Sequence, residues 1–404
     1  MQRGDRAERA VPAAKLAGRS PFVRLNELLE GVAPGKPPIS MAVGEPRHPI
    51  PSFVGPVLQQ NLSTFGRYPM TRGTERFRAA AAAWLDRRYK LAKPVDPNTE
   101  ILVLSGSREG LFLAALVARR YVGARTGAPA VLMPNPFYQA YAAGADFADC
   151  EPIALPATRQ NGFLPDYAAL PDALLARTVA IYLCSPGNPQ GAVLSREALA
   201  SLIARARQHG ALVLADECYS EIWLGQTPPT GALEAAGASF DNVIAFNSLS
   251  KRSSLPGLRL GFCAGDPRFL KAFLDFRNLA APQVPEPLQE VAVTAYGDES
   301  HVEENRRLYA AKFDLADRIL GNRYGYHRPA GGFFLWLDTT KAGGDVAATQ
   351  KLWREAGLRV VPGSYLALDT ANGNNPGAGY IRVALVDDLT TTETALHRLN
   401  ECLG

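Results

Sequence analysis

One stretch, Thr178 to Trp223, restricts the fold more than any other: TVAIYLCSPGNPQGAVLSREALASLIARARQHGALVLADECYSEIW. Val179 to Cys184 has the length and apolar character of a buried strand, Arg196 to His209 carries apolar residues at helical spacing, and Ala211 to Ala215 is a second buried strand. A strand, a crossover helix and a strand form a parallel pair, the unit of an open α/β sheet. In such a sheet ligands sit beyond the carboxyl ends of the strands. Two features occupy that position here: Asn188 in the loop SPGNPQG, and Asp216, Glu217 and Tyr219 directly after the second strand. A carboxylate ending a buried strand needs a partner, because an isolated buried charge is costly. That partner is either a helix N-terminus or a bound group.

The same logic applies earlier in the chain. Ile101 to Leu104 reads as a strand, Ser105-Gly106-Ser107 as a turn, and Arg108 to Arg120 as a helix. Backbone N–H groups at such a helix start form an anion cradle, and Ser107 can also cap the helix. The turn is neither GxGxxG nor a Walker loop, so no nucleotide is implied. Val131 to Met133 is another strand, followed by Phe137, Tyr138 and Tyr141. Upstream, Gly44 precedes Glu45-Pro46 at a strand end, with Arg47 and His48 next. Tyr68 and Arg72 lie in the loop before Thr74, which is placed to cap a helix running to Tyr89.

A further strand ending, NVIAFNSLSKRSSLPGLRLGFCAGDP from Asn242, delivers Lys251 into a serine-rich loop, with Arg259 eight residues on. A lysine amine condenses with an aldehyde, and an arginine holds a phosphate with a planar fork of donors. Pyridoxal 5'-phosphate carries both groups and is an electron sink for amino-acid chemistry. Beyond this, Pro267 to Asn278 reads as a helix, another opens at Val284 to Pro287, and Val302 to Leu320 is a long amphipathic helix connecting two domains. The remaining strands and helices alternate less regularly, as in a smaller α+β lobe. Arg382 lies in an apolar strand, Tyr380 to Val386, where it is either paired structurally or holds an anion.

Bulk properties exclude other classes. A chain of 404 residues suits two domains. A net charge of +4 is too weak to argue for nucleic acid as partner. No apolar run approaches the ~20 residues of a membrane span. The polar, basic first twenty residues lack a signal-peptide core and read as a frayed extension. Five scattered cysteines without CxxC spacing fit reduced thiols in a cytoplasmic protein, and the histidines show no metal-binding pattern.

In order, Gly-Glu-Pro, Tyr68, SGS, the aromatic loop, SPGNPQG, ADECY, SxxK with its arginine, and IRVAL resemble the class I/II aminotransferases of pyridoxal-phosphate fold type I, from about Pro21 onward. The resemblance implies a large domain, residues 46–284, with a mostly parallel seven-stranded sheet flanked by helices, and a smaller α+β domain from 1–45 and 285–404. It implies Lys251 as the residue bonded to the cofactor, with Asp216 at the ring nitrogen, Asn188 and Tyr219 at the ring oxygen, and Tyr138 stacked on the ring. Gly106, Ser107, Arg108, Ser248 and Arg259 would hold the phosphate, joined by Tyr68 of a second copy, so a homodimer is implied. Arg382 and the backbone at Gly44 would hold the substrate carboxylate.

SGSREGLF, DECYSEIW, the Lys251 stretch and NPGAGYIRVALV further resemble the branch of the family acting on N-succinyl-diaminopimelate in bacterial lysine synthesis. Such substrates carry extra carboxylates, for which Arg24, Arg47 and Arg72 are candidates. The alternatives are transamination of aspartate or N-acetylornithine, a β-lyase, or a regulator. The last is disfavoured because only about forty residues precede Gly-Glu-Pro and they lack a helix-turn-helix pattern.

Overall fold

A computed structural model of the chain describes residues 20–370 and 372–404. Residues 1–19, most of the expected frayed extension, therefore lie outside the described residues. The central element is a seven-stranded sheet in the order Ile101–Leu104, Gly261–Gly265, Val243–Ser248, Leu212–Asp216, Thr178–Cys184, Ala130–Asn135, Glu151–Pro156. Only Gly261–Gly265 runs against the others. All its strands but the edge strand Glu151–Pro156 are buried on both faces: one apolar core contains Phe77, Trp84, Val213 and Phe262, and a second, opposite, contains Leu104, Tyr141, Tyr182 and Phe269. This two-sided burial explains why the central strands read as continuous apolar runs.

The helix starts follow from local chemistry. The Thr74 side chain accepts from Phe77 N at the head of Glu75–Tyr89, and Ser195 does the same for Arg196–Gln208 from Ala198 N. Asp266 caps Pro267–Ala280, with proline at the first helical position, where no N–H is needed. Ser107 departs from expectation. It is the first residue of helix Ser107–Tyr121 rather than its cap; Gly106 takes the cap position with φ +83°, leaving the first N–H groups without a side-chain partner.

A smaller antiparallel sheet orders Val361–Pro362, Tyr380–Ala384 and Phe334–Asp338, and its core includes Phe313, Leu337, Leu358 and Val383. Ile39–Ser40 pairs with Leu358–Arg359, which ties the segment before Gly44 to this lobe. Helix Glu286–Gly297 packs into the core of the large sheet through Val291, Ala292 and Tyr296. The large-lobe core therefore continues past residue 284, and we propose that the domain boundary lies within helix Ser300–Leu320, whose second half enters the small-lobe core. Among the described residues no helix is long and apolar enough to cross a membrane.

Candidate active site

Three parallel strands end side by side: Cys184 pairs with Asp216, and Asp216 with Phe246. The cleft beyond them is lined by Lys251, Asp216, Tyr219, Asn188, Tyr138, Ser107, Arg108, Gly44 and Arg382, which are scattered over the sequence.

Lys251 stands in a one-turn helix, Leu249–Arg252, rather than in an open loop, and Ser248 caps that turn by accepting from Ser250 N. Its ammonium donates to the Gly44 carbonyl and lies 5.4 Å from the Phe333 ring centre and 6.0 Å from that of Tyr219. Burial in this slot pushes the amine down to about 8, despite the nearby Cys218, Glu45 and Asp216. At neutral pH a far larger share is unprotonated than for an exposed lysine. Gly44 has no room for a side chain, since a Cβ would lie 2.5 Å from Phe334 Cζ.

Asp216 is 6% exposed. It accepts from Tyr141 Oη at 2.6 Å and from Cys218 N at 3.1 Å. The helix-cap alternative therefore does not hold, because the partners are a tyrosine and a loop amide. Burial raises its pKa, and these hydrogen bonds and the Lys251 cation oppose the rise. A cation placed against this carboxylate offsets the cost of burying it. Glu217 points elsewhere: it accepts from Ala232 N at 2.7 Å and Tyr89 Oη at 3.0 Å, anchoring structure on the sheet's other side.

At the SGS turn a Cβ on Gly106 would run into the Arg259 guanidinium, so glycine is what lets that arginine approach the start of the helix. Arg259 also donates to Pro256 O at 2.8 Å. Arg108 Nε donates to Tyr138 Oη at 2.5 Å. Ser248 Oγ is engaged within its own turn, 3.0 Å from Ser250 Oγ, and does not line the cleft. Tyr68 is 94% exposed and away from the cleft of its own chain.

Arg382 is a buried cation, 5% exposed and, among the described residues, with no acidic partner. Its guanidinium donates to Ala42 O at 2.8 Å and Asn188 Oδ1 at 3.2 Å, lies over Phe334 at 4.5 Å, and leaves Nε without a partner. Burial pushes it down to about 10, still cationic at neutral pH. A buried cation short of acceptors beside an open cleft is suited to a carboxylate.

The extra candidates fare differently. Arg47 is ion-paired with Asp387 and Arg24 lies over the Tyr365 ring at 3.7 Å. Neither these two nor Arg72 line the cleft. Pro21, Phe22 and Leu366 do line it and had no signal in the sequence. Tyr141 stood among the aromatic residues after a strand, but its bond to Asp216 depends on tertiary placement.

The features required by pyridoxal phosphate are present: a desolvated amine, a buried carboxylate, a glycine-made cradle with an arginine, and aromatic faces between them. Residues 36–399 match the family model for aminotransferase class I and II. An LL-diaminopimelate aminotransferase of Syntrophobacter fumaroxidans is 31% identical over 380 residues, covering 92% of this chain and 93% of that protein. The crystal structure of an aminotransferase from Neisseria meningitidis superposes with a TM-score of 0.89 at 36% identity, covering 96% of this chain and 98% of that one. A probable N-succinyldiaminopimelate aminotransferase from Thermus thermophilus shares the fold with a TM-score of 0.81 at 24% identity, over 95% and 100% of the two chains. Sheet order, cleft chemistry and these likenesses agree, and the chain belongs to the class I and II aminotransferases.

Proposed function

We propose that this pyridoxal-phosphate-dependent aminotransferase acts in diaminopimelate synthesis, exchanging an amino group between N-succinyl-LL-2,6-diaminopimelate and 2-oxoglutarate. The observation that carries amino-acid binding is Arg382, a buried cation with an unpartnered Nε beside Lys251 and Asp216. The succinylated substrate rests on the motif resemblance from SGSREGLF to NPGAGYIRVALV. A second reading, free LL-diaminopimelate, is favoured by the printed activity of relatives such as that of Syntrophobacter.

When bound, pyridoxal phosphate supplies an electron sink next to the substrate α-carbon. Lys251 Nζ takes the α-proton and returns it one carbon away, a task matched to an amine near pH 8. Asp216 holds a proton on the ring nitrogen by opposite charge, and Tyr141 and Cys218 N fix the carboxylate's orientation. Asn188 and Tyr219 would bond the ring oxygen, and Tyr138 would cover a ring face. The amides at Gly106, Ser107 and Arg108, with Arg259, would hold the phosphate, and Ser248 would join them only by leaving its own turn. Arg382 orients the substrate carboxylate, helped by the backbone at Gly44. Tyr68, exposed in one chain, reaches the phosphate of a second copy in a homodimer.

A coupled assay offering N-succinyl-LL-diaminopimelate, LL-diaminopimelate, aspartate and N-acetylornithine, each with 2-oxoglutarate, tests the substrate. The highest kcat/KM is expected for the succinylated compound; a higher value for free LL-diaminopimelate selects the second reading. Arg382→Ala removes a charged pair worth ~1.5–3 kcal/mol, so KM for both amino and keto acid rises roughly 10–100-fold. Arg382→Lys restores only part, since an ammonium lacks the fork. Equal KM values in wild type and Arg382→Ala would remove this residue from the substrate site. Tyr68→Phe is expected to speed cofactor dissociation about tenfold, through one lost hydrogen bond to a charged group. Dialysis followed by absorbance measures that rate, and an unchanged rate argues against sharing of Tyr68.

A further inference from the structure

Behind Lys251 lies a second set of buried polar groups. Lys312, on helix Ser300–Leu320, is 1% exposed. Its ammonium reaches His48 Nε2 at 2.7 Å and donates to Leu385 O at 3.3 Å. His48 Nδ1 bonds Asn305 Oδ1. Asn305 Nδ2 in turn donates to the backbone carbonyls of Lys251 at 3.0 Å and Arg252 at 3.2 Å, and Ser254 Oγ donates to Asn305 Oδ1 at 3.1 Å.

Each donor assignment follows from the one before it. An ammonium only donates, so His48 Nε2 must accept. The ring proton is then on Nδ1 and points at Asn305 Oδ1. That leaves Asn305 Nδ2 for the two carbonyls, which can only accept. The chain of bonds thus runs in one direction, from Lys312 to the backbone of Lys251. The segment from Gly44 to His48 touches residue 251 at both ends: Gly44 O takes its ammonium, and His48 reaches its carbonyl through Asn305.

We infer that His48, held between Lys312 and Asn305, is a positioning residue for the Lys251 amine. The inference rests on the reading that Lys251 carries the chemistry. It goes further in assigning a task to two residues outside the cleft, His48 and Asn305. Burial and the Lys312 charge lower the His48 pKa, against the Asn305 hydrogen bond and Glu304, while its ring lies 4.4 Å from that of Tyr309. Lys312 faces Asp387 and Asp388, and Lys251 faces Cys218, Arg382, Glu45 and Asp216. When the His48–Asn305 bond is lost, only Ser254 still holds Asn305 Oδ1, the amide's grip on the carbonyls of the one-turn helix loosens, and the Lys251 amine gains water. Because burial is the main cause of its depressed pKa, that pKa should then rise.

The test uses the cofactor-free protein and acetic anhydride labelling across pH, read at Lys251 by peptide mass spectrometry. Wild type is expected to titrate with a midpoint of about 8. His48→Asn keeps a donor where Nδ1 stands and drops the Lys312 contact; His48→Gln keeps the Lys312 contact and drops the bond to Asn305. We expect His48→Asn to label Lys251 like wild type at pH 7.5, whereas His48→Gln and His48→Ala label it about tenfold less, a shift of roughly one pKa unit. The Asn and Gln variants both fill the site with an amide, so they decide the matter even if His48→Ala does not fold. Equal shifts in Asn and Gln, or no shift in Gln, overturn the inference. Neither outcome bears on whether Lys251 bonds the cofactor, which borohydride reduction of the loaded wild type reports separately.

Discussion

Lys251→Ala is expected to lower amino transfer by at least about 10⁴-fold, the upper range for removing a positioned general acid–base. The loss is expected in kcat, because the carboxylate-binding Arg382 and the phosphate cradle are untouched. Among the described residues no other lysine lines the cleft, and the nearby Tyr219 is held protonated by burial, so no neighbour takes over the proton. Small primary amines added to the variant should restore part of the rate, the most basic restoring most, because they put an amine back into a slot that already excludes water. Lys251→Arg should not be restored, since the guanidinium fills the slot. Residual activity within tenfold of wild type would mean that another group moves the proton.

Asp216→Ala should produce the second-largest loss, roughly 10²–10³-fold in kcat from removing one preorganised charge. Its distinguishing feature is where the loss falls. In the proposed mechanism Asp216 acts on charge that develops during proton removal, while the phosphate would be held elsewhere, by Gly106, Ser107, Arg108 and Arg259. Exchange of the substrate α-proton in deuterated water should therefore slow far more than cofactor affinity falls. Asp216→Asn separates charge from shape: its single amide oxygen can still accept from the Cys218 N–H while its NH2 faces Tyr141 Oη, yet it should lose nearly as much rate as alanine. If the asparagine variant behaves as wild type, the carboxylate's charge is not what matters. If rate and affinity fall together, Asp216 serves only to hold the cofactor.

The parts legible in the sequence share a physical cause. Strands buried on both faces are apolar throughout, so their ends are conspicuous, and a parallel sheet gathers those ends at one edge. Asp216 after Leu212–Ala215 and Asn188 after Val179–Cys184 were legible for that reason, and Lys251 after Val243–Ser248 as well. What was not legible depends on long-range placement. Arg47 looks like a substrate cation until Asp387 is found beside it, and His48 gives no hint of Lys312, 264 positions on. Phe22 reaches the cleft because helix Pro21–Leu29 packs on the small lobe through Leu25 and Leu29, near Trp336 and Val361, and no local pattern encodes that docking. Ser107 illustrates a local error: a serine before a helix usually caps it, but here Gly106 takes the left-handed cap position, which leaves the amides open.

The central claim is that Lys251 is the residue to which pyridoxal phosphate becomes attached. Loading the protein with the cofactor, reducing with borohydride and mapping peptides tests it directly. One reduced adduct is expected, on Lys251; prior treatment with an amino donor alone should diminish it, and Lys251→Ala should abolish it. An adduct on another lysine, or none at all, would contradict it.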